Sequence, residues 1–222
     1  MTEETARVLA VDCYYSLSSP WAYFAGPRLV DICRRHHAEL TLKPYDFQRV
    51  APETGGVPIR PRPEPRRHYH EVELDRWRRH LGMPLQLRPK HYPFENPPPG
   101  WNKPAGWMVI AAEVRGLDAP RLSHALLRAL WAEDRDIADP VVRRAVADAE
   151  GMAGAALVEA EAGETVQALY TRYTEEALAR GVFGAPTFVF EDALYWGQDR
   201  LDFLDRALAV ARARSTPGAV AG

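Results

Sequence analysis

The run Cys13-Tyr14-Tyr15-Ser16-Leu17-Ser18-Ser19-Pro20-Trp21-Ala22-Tyr23 constrains the chain more than any other stretch. An apolar segment, Val8 to Tyr15, has the pattern of a buried strand and ends in serines. A proline follows, then the helical spacing of Ala22, Phe24, Leu29, Val30, Ile32 and Cys33. Serine caps a helix by accepting from an orphan backbone N–H, and proline suits the first helical position because it has no N–H to leave unpaired. The pattern therefore predicts a strand to Tyr15 and a helix from Pro20 to about His36, with Pro27 as a site for a kink. On that reading the Ser19 hydroxyl stands at the positive end of a helix dipole, where an anion is stabilised. A capped helix after a first strand would need nothing more, so a functional role for Ser19 requires a second motif.

The next segment, Glu39 to Phe47, alternates Leu40, Leu42 and Tyr45 against Thr41 and Lys43, which predicts a second strand. Strand, helix and strand at this length form a βαβ unit with parallel strands. Thirteen of the nineteen prolines then fall between Pro44 and Pro104, and this implies a long stiffened loop that closes over a ligand at low entropic cost. Inside it, Tyr69, Val72, Leu74, Trp77 and Leu81 have helical spacing, with Gly82 as the stop. Further helices are expected over Ala105–Arg115, Pro120–Glu133, Pro140–Glu150, Met152–Glu161 and Thr165–Arg180, with Asp118, Asp139 and Glu164 suited to their starts. Strand signals return at Thr187–Phe190 and Ala193–Trp196, a hairpin whose Glu191-Asp192 turn lacks the usual glycine. A last helix, Asp199 to Ala211, would bury Leu201, Phe203, Leu204 and Leu208.

This order defines an α/β protein: a thioredoxin-like βαβ–ββα domain over 8–50 and 182–212, interrupted by an all-helical insertion. Residues 51–181 hold the proline-rich loop and the helices, and 213–222 read as a disordered tail. At 222 residues one domain with an insertion is the expected organisation. A net charge of −2 gives no reason to expect nucleic acid or an anionic membrane as partner. No apolar run reaches the roughly 18 residues of a membrane span. The acidic start, Met1-Thr2-Glu3-Glu4-Thr5, is unlike a signal peptide, so a cytoplasmic protein is expected. Cys13 and Cys33 form no Cys-x-x-Cys pair; reduced buried thiols are expected, with a disulfide between the two left open. The seven histidines have no cysteine cluster or His-Glu-x-x-His spacing, so no metal is expected, and His36-His37 reads as structural. A local basic excess, Arg60, Arg62, Arg66 and Arg67 with His68 and His70, is either a solvated loop or a carboxylate-recognition patch. Tyr92, Trp101 and Trp107 are core aromatics or the walls of a pocket.

The second motif is Gly181-Val182-Phe183-Gly184-Ala185-Pro186-Thr187-Phe188, followed by Tyr195-Trp196-Gly197-Gln198-Asp199-Arg200-Leu201. With Ser18-Ser19-Pro20-Trp21, and with Tyr69, Glu73 and Arg76 between, the chain resembles the 2-hydroxychromene-2-carboxylate isomerases from about Val8 to Leu208. These are glutathione-dependent proteins of thioredoxin-like fold, similar to kappa-class glutathione transferases and more distantly to bacterial disulfide oxidoreductases. The resemblance implies that Ser19 is the catalytic serine contacting the thiol. Ser19-Pro20-Trp21-Ala22 stands where the oxidoreductases carry Cys-x-x-Cys, so no dithiol is left to cycle. It also implies a cis Ala185-Pro186 bond, with Ala185 pairing to the glutathione backbone and Gln198 and Asp199 at its γ-glutamyl end. Pro20, Trp21, Gly184 and Thr187 complete the implied thiol site, Arg200 would brace its turn, and Phe47, Arg66 and Tyr92 form the implied substrate site.

Relatives commonly carry Gly-Asn-x-Pro where this chain has Gly55-Gly56-Val57-Pro58, and lysine where it has Arg66; Asn96 to Gly106 also departs from the family's usual sequence. The implied reaction equilibrates 2-hydroxychromene-2-carboxylate with trans-o-hydroxybenzylidenepyruvate or a related aromatic keto acid, in a cytoplasmic homodimer using glutathione or another low-molecular-weight thiol. Two other readings share the motifs. One is a kappa-like glutathione transferase or peroxidase, which consumes the thiol. The other is a non-catalytic binding protein of the same fold.

Overall fold

Residues 8–59, 61–93 and 98–214 are described by the computed structural model. Strand β1 (Leu9–Tyr15) pairs in parallel with β2 (Ala38–Pro44), as the βαβ spacing predicts. On its other edge β1 pairs antiparallel with β3 (Thr187–Phe190), which pairs antiparallel with β4 (Ala193–Trp196), giving the order β2-β1-β3-β4. The hairpin turn does without glycine because Glu191 takes the left-handed conformation itself, at φ 54°.

One face of β1 is buried along its length, and the other only at Tyr14. Val11, Cys13 and Tyr15 join the main core, and Tyr14 joins a second cluster with Tyr45, Val50, Ala177, Val182 and Val189. The main core runs without a break from the sheet and α1 (Pro20–Arg35) into α4 (Lys103–Val114) and α5 (Ala119–Trp131). The helices of the insertion thus share apolar packing with the sheet. On the second face, Lys43 donates to Asp12 at 2.8 Å and to Glu176 at 2.7 Å, tying β1 and β2 to the helix that covers them.

Several expectations need correction. The second strand ends at Pro44, and Phe47 opens a helix that alternation does not reveal, α2 (Phe47–Thr54), capped by Asp46. The third helix, α3 (Glu64–Leu81), begins five residues before the expected Tyr69, so Arg66, Arg67 and His68 are helical. Of its expected apolar set only Leu74 is buried, and Tyr69 is exposed, because one side of α3 borders an open cavity.

The remaining helices, α6 (Pro140–Ala149), α7 (Gly154–Ala160), α8 (Glu164–Ala179) and α9 (Leu201–Arg214), fall where expected. Asp118 and Asp139 cap α5 and α6 through their side chains, whereas Glu164 follows a Gly163 cap. Phe203 on α9 is exposed, against expectation, and α9 continues to Arg214. Residues 215–222 of the expected tail lie outside the described residues, as do Arg60, Asn96 and Pro97. His36, expected to be structural, binds Asp205 at 2.6 Å, joining the end of α1 to α9. No helix among the described residues is long and apolar enough to cross a membrane.

Candidate active site

Ser19 caps α1 as predicted: its Oγ accepts from the Ala22 N–H at 3.2 Å, and Pro20 is the first helical residue. The same hydroxyl donates to the Ala185 carbonyl at 3.0 Å, across 166 residues of sequence. The Ala185-Pro186 bond is cis. The two sequence motifs are therefore one site, in which the positive end of α1 meets the backbone leading into β3. No acidic residue lies in the first turn of α1 to offset the dipole.

Hydrogen bonds brace both halves. Asn102 Nδ2 donates to Ser16 Oγ at 2.7 Å and to Ser18 Oγ at 3.2 Å, fixing the serine turn from the start of α4. The Gly184 carbonyl accepts from Tyr45 at 3.2 Å and from Thr187 at 2.8 Å. Thr187 is buried with its hydroxyl spent in that bond, and neither it nor Pro186 lines the cavity in front of Ser19. Gly184 is required by close approach: a Cβ there would stand 2.1 Å from Nε1 of Trp196, whose ring covers the backbone at this point. Gly184→Ala is expected to displace Trp196 and to cost about 1–3 kcal/mol of stability, as overpacking typically does. Indole fluorescence and thermal melts check this, and an unchanged indole spectrum with an unchanged melting temperature would contradict it.

The cavity holds about 1670 Å³. Ser19, Pro20, Trp21, Gly184, Ala185, Gln198 and Asp199 line one side, and Phe47, Arg66 and Tyr92 line it as well. Tyr92 packs edge-on to Trp101, with ring centroids 5.7 Å apart, and lies 5.0 Å from Trp131, which belongs to the core and also borders the cavity. Trp107 is turned away, against Tyr170. Gln198 is buried, and its Oε1 accepts from Arg28 Nη1 at 2.7 Å, so its amide nitrogen is the end left for a ligand. Asp199 pairs with Arg200 at 2.7 Å on the rim.

Arg62 folds back on its own loop, donating from Nε to the Val57 carbonyl at 3.1 Å. At Gly56 a Cβ would stand 2.5 Å from the Phe183 carbonyl, so the close backbone approach there requires glycine. Cys13 and Cys33 are both free, buried and away from this cavity. Burial pushes the Cys33 thiol up to about 12 and the Cys13 thiol higher still, so neither serves as a nucleophile.

Asn102, Tyr45 and Arg28 were not singled out for the site by sequence reasoning, and His70 was named only as part of a basic stretch. Asn102 lies in a proline-rich stretch, and Arg28 in an otherwise ordinary helix. Only His70, inside the basic stretch 60–70, left a signal in the sequence.

A cis-proline loop facing a capped helix on a four-stranded mixed sheet defines a thioredoxin-like protein, and the chain belongs to the DSBA-like thioredoxin domain family, which it matches over residues 10–209. A curated relative is the 2-hydroxychromene-2-carboxylate isomerase of Sphingobium xenophagum, 28% identical over 200 residues, with 89% of this chain and 97% of that protein covered. A solved 2-hydroxychromene-2-carboxylate isomerase superposes with a TM-score of 0.75 at 25% identity, covering 93% of this chain and 98% of that one. The cytosolic disulfide reductase DsbM of Pseudomonas aeruginosa, solved with GSH, shares the fold at a TM-score of 0.63 and 21% identity, covering 90% of this chain and 100% of that one. These matches bear out the expected resemblance and the thioredoxin-like fold, and they support an isomerase.

Proposed function

We propose that this protein interconverts 2-hydroxychromene-2-carboxylate and trans-o-hydroxybenzylidenepyruvate, or a closely related aromatic keto acid, with glutathione as its thiol. The observation that carries the reading is the Ser19 hydroxyl, held between the N-terminus of α1 and the Ala185 carbonyl beside a cis proline, in a chain with no accessible thiol of its own.

The residues fit such a thiol. The backbone of Ala185 offers peptide hydrogen bonds, the Gln198 amide nitrogen and the Asp199 carboxylate offer a donor and an acceptor for the γ-glutamyl end, and Trp196 covers one side. When bound, glutathione supplies a nucleophile that adds reversibly to the conjugated double bond, allowing rotation about what is then a single bond. The chain's part is electrostatic. Ser19 turns its proton from the Ala185 carbonyl to the sulfur, and the helix end favours the thiolate over the thiol, whose ordinary pKa is about 8.5. Arg66 takes the substrate carboxylate, with Tyr92 and Phe47 against its ring. The proposal includes the cytoplasmic homodimer that the resemblance implies.

Isomerisation is assayed with and without glutathione while total thiol is followed. The expected result is glutathione-dependent turnover with no thiol consumed and a raised melting temperature in the presence of the thiol. Stoichiometric loss of thiol would indicate a transferase instead. No turnover and no thermal shift would leave a binding protein of this fold.

A further inference from the structure

His70 is a largely buried titratable group in the cavity that the thiol chemistry does not use. Its imidazole packs edge-on against Trp21, with ring centroids 5.3 Å apart, and so lies beside the turn that carries Ser19. Neither ring nitrogen has a hydrogen-bond partner among the described residues, and the nearby Arg62 side chain is spent on the Val57 carbonyl. His70 lies four residues beyond Arg66 on α3, on the same helix face and about 6 Å along the axis.

We infer that His70 is the general base and acid that opens and recloses the hemiketal ring of the substrate. The inference rests on the proposed isomerisation and deepens it. The hemiketal carbon bears both the carboxylate and the hydroxyl, so anchoring the carboxylate at Arg66 directs the hydroxyl toward the next turn of α3. The neutral imidazole accepts the hydroxyl proton. The carbonyl forms as the bond between that carbon and the ring oxygen breaks, and its electron pair goes to the phenolic oxygen. That oxygen then takes the proton from the imidazolium. One proton moves from one substrate oxygen to another through His70, with no redox partner and no net change in the residue. Burial first, then the Arg62 guanidinium, push the imidazole down to about 4, against the smaller opposing effect of Glu71, so the base form is present at neutral pH.

The test separates ring opening from double-bond rotation. Ring opening of 2-hydroxychromene-2-carboxylate is followed by NMR exchange with protein and no glutathione. Rotation is followed with glutathione on the O-methylated keto acid, which cannot cyclise. Wild type is expected to accelerate both. His70→Asn is expected to lose about 100-fold in ring opening, in line with general acid–base contributions, and to keep rotation within about twofold. His70→Gln, melting temperatures and calorimetric glutathione affinities guard against misfolding, and both affinities should match wild type. Wild type that opens rings but does not rotate the O-methyl compound would support the role of His70 and sink the thiol reading alone. Unchanged ring opening in both variants, equal losses in both assays, or no acceleration of ring opening by wild type would each overturn the inference.

Discussion

Replacing Ser19 by alanine is expected to lower glutathione-dependent isomerisation about 100-fold, the loss typical when one preorganised donor to a reacting anion is removed. The Ser19 hydroxyl has two partners, the Ala22 N–H and the Ala185 carbonyl, so the substitution also removes a helix cap. Cap loss costs about 1 kcal/mol, which for a chain of this length lowers the melting temperature by roughly 2–4 °C. The two effects separate cleanly: the protein should remain folded at assay temperature while activity falls by two orders of magnitude. Ser19→Thr retains a hydroxyl and a capping side chain, and should recover most of the stability and part of the rate. Activity of Ser19→Ala within a few-fold of wild type would remove the hydroxyl from the chemistry and leave Ser19 as a cap alone.

The second large effect lies away from the cavity. Arg143 and Glu161 are both buried, and they form two parallel bonds, Nε to Oε1 and Nη2 to Oε2, each 2.7 Å long. The remaining guanidinium nitrogen, Nη1, donates to the Ile137 and Ala138 carbonyls at 2.9 and 2.7 Å. Glu161→Ala strands the guanidinium charge and Arg143→Ala strands the carboxylate, each costing about 3–5 kcal/mol. The expected fall in melting temperature is roughly 6–20 °C. Replacing both partners by apolar residues of similar volume is expected to recover much of it, since no charge is then left buried. Urea denaturation of the two single variants and the double variant measures this directly. Single-variant losses below about 1 kcal/mol would mean that water or backbone movement satisfies the stranded group.

Local chemistry made most of the fold legible. Ser19 with Pro20, Asp118 with Pro120 and Asp139 with Pro140 each combine a capping side chain with a proline in the first turn, and each opens a helix. The cis Ala185-Pro186 bond was legible only through the resemblance, and the hydrogen bond from Ser19 to the Ala185 carbonyl was not foreseen, because no local pattern links residues 166 apart. α2 was missed because the large apolar Tyr45 and Phe47 read as further strand positions although they are out of step with Leu40 and Leu42, and Pro52 argues against a helix that nonetheless forms. α3 was placed late because it is polar on most sides. Its aromatic residues border an open cavity, so apolar spacing reports neither its start nor its burial.

In the site, the polar contacts that set geometry are long-range and carry no sequence period. Arg28 orients Gln198 from 170 residues away, and Asn102 orients Ser16 from 86. Arg143 and Glu161 read as ordinary helix-surface charges until the packing of α6 against α7 encloses them.

We propose that the chain holds a borrowed thiol as its thiolate at Ser19. The ultraviolet absorbance of the thiolate, recorded as a difference spectrum when saturating protein is added to glutathione at neutral pH, tests it most directly. A clear thiolate band is expected with wild type, and it should be largely lost with Ser19→Ala. No band with wild type, or an equal band with both proteins, would contradict it.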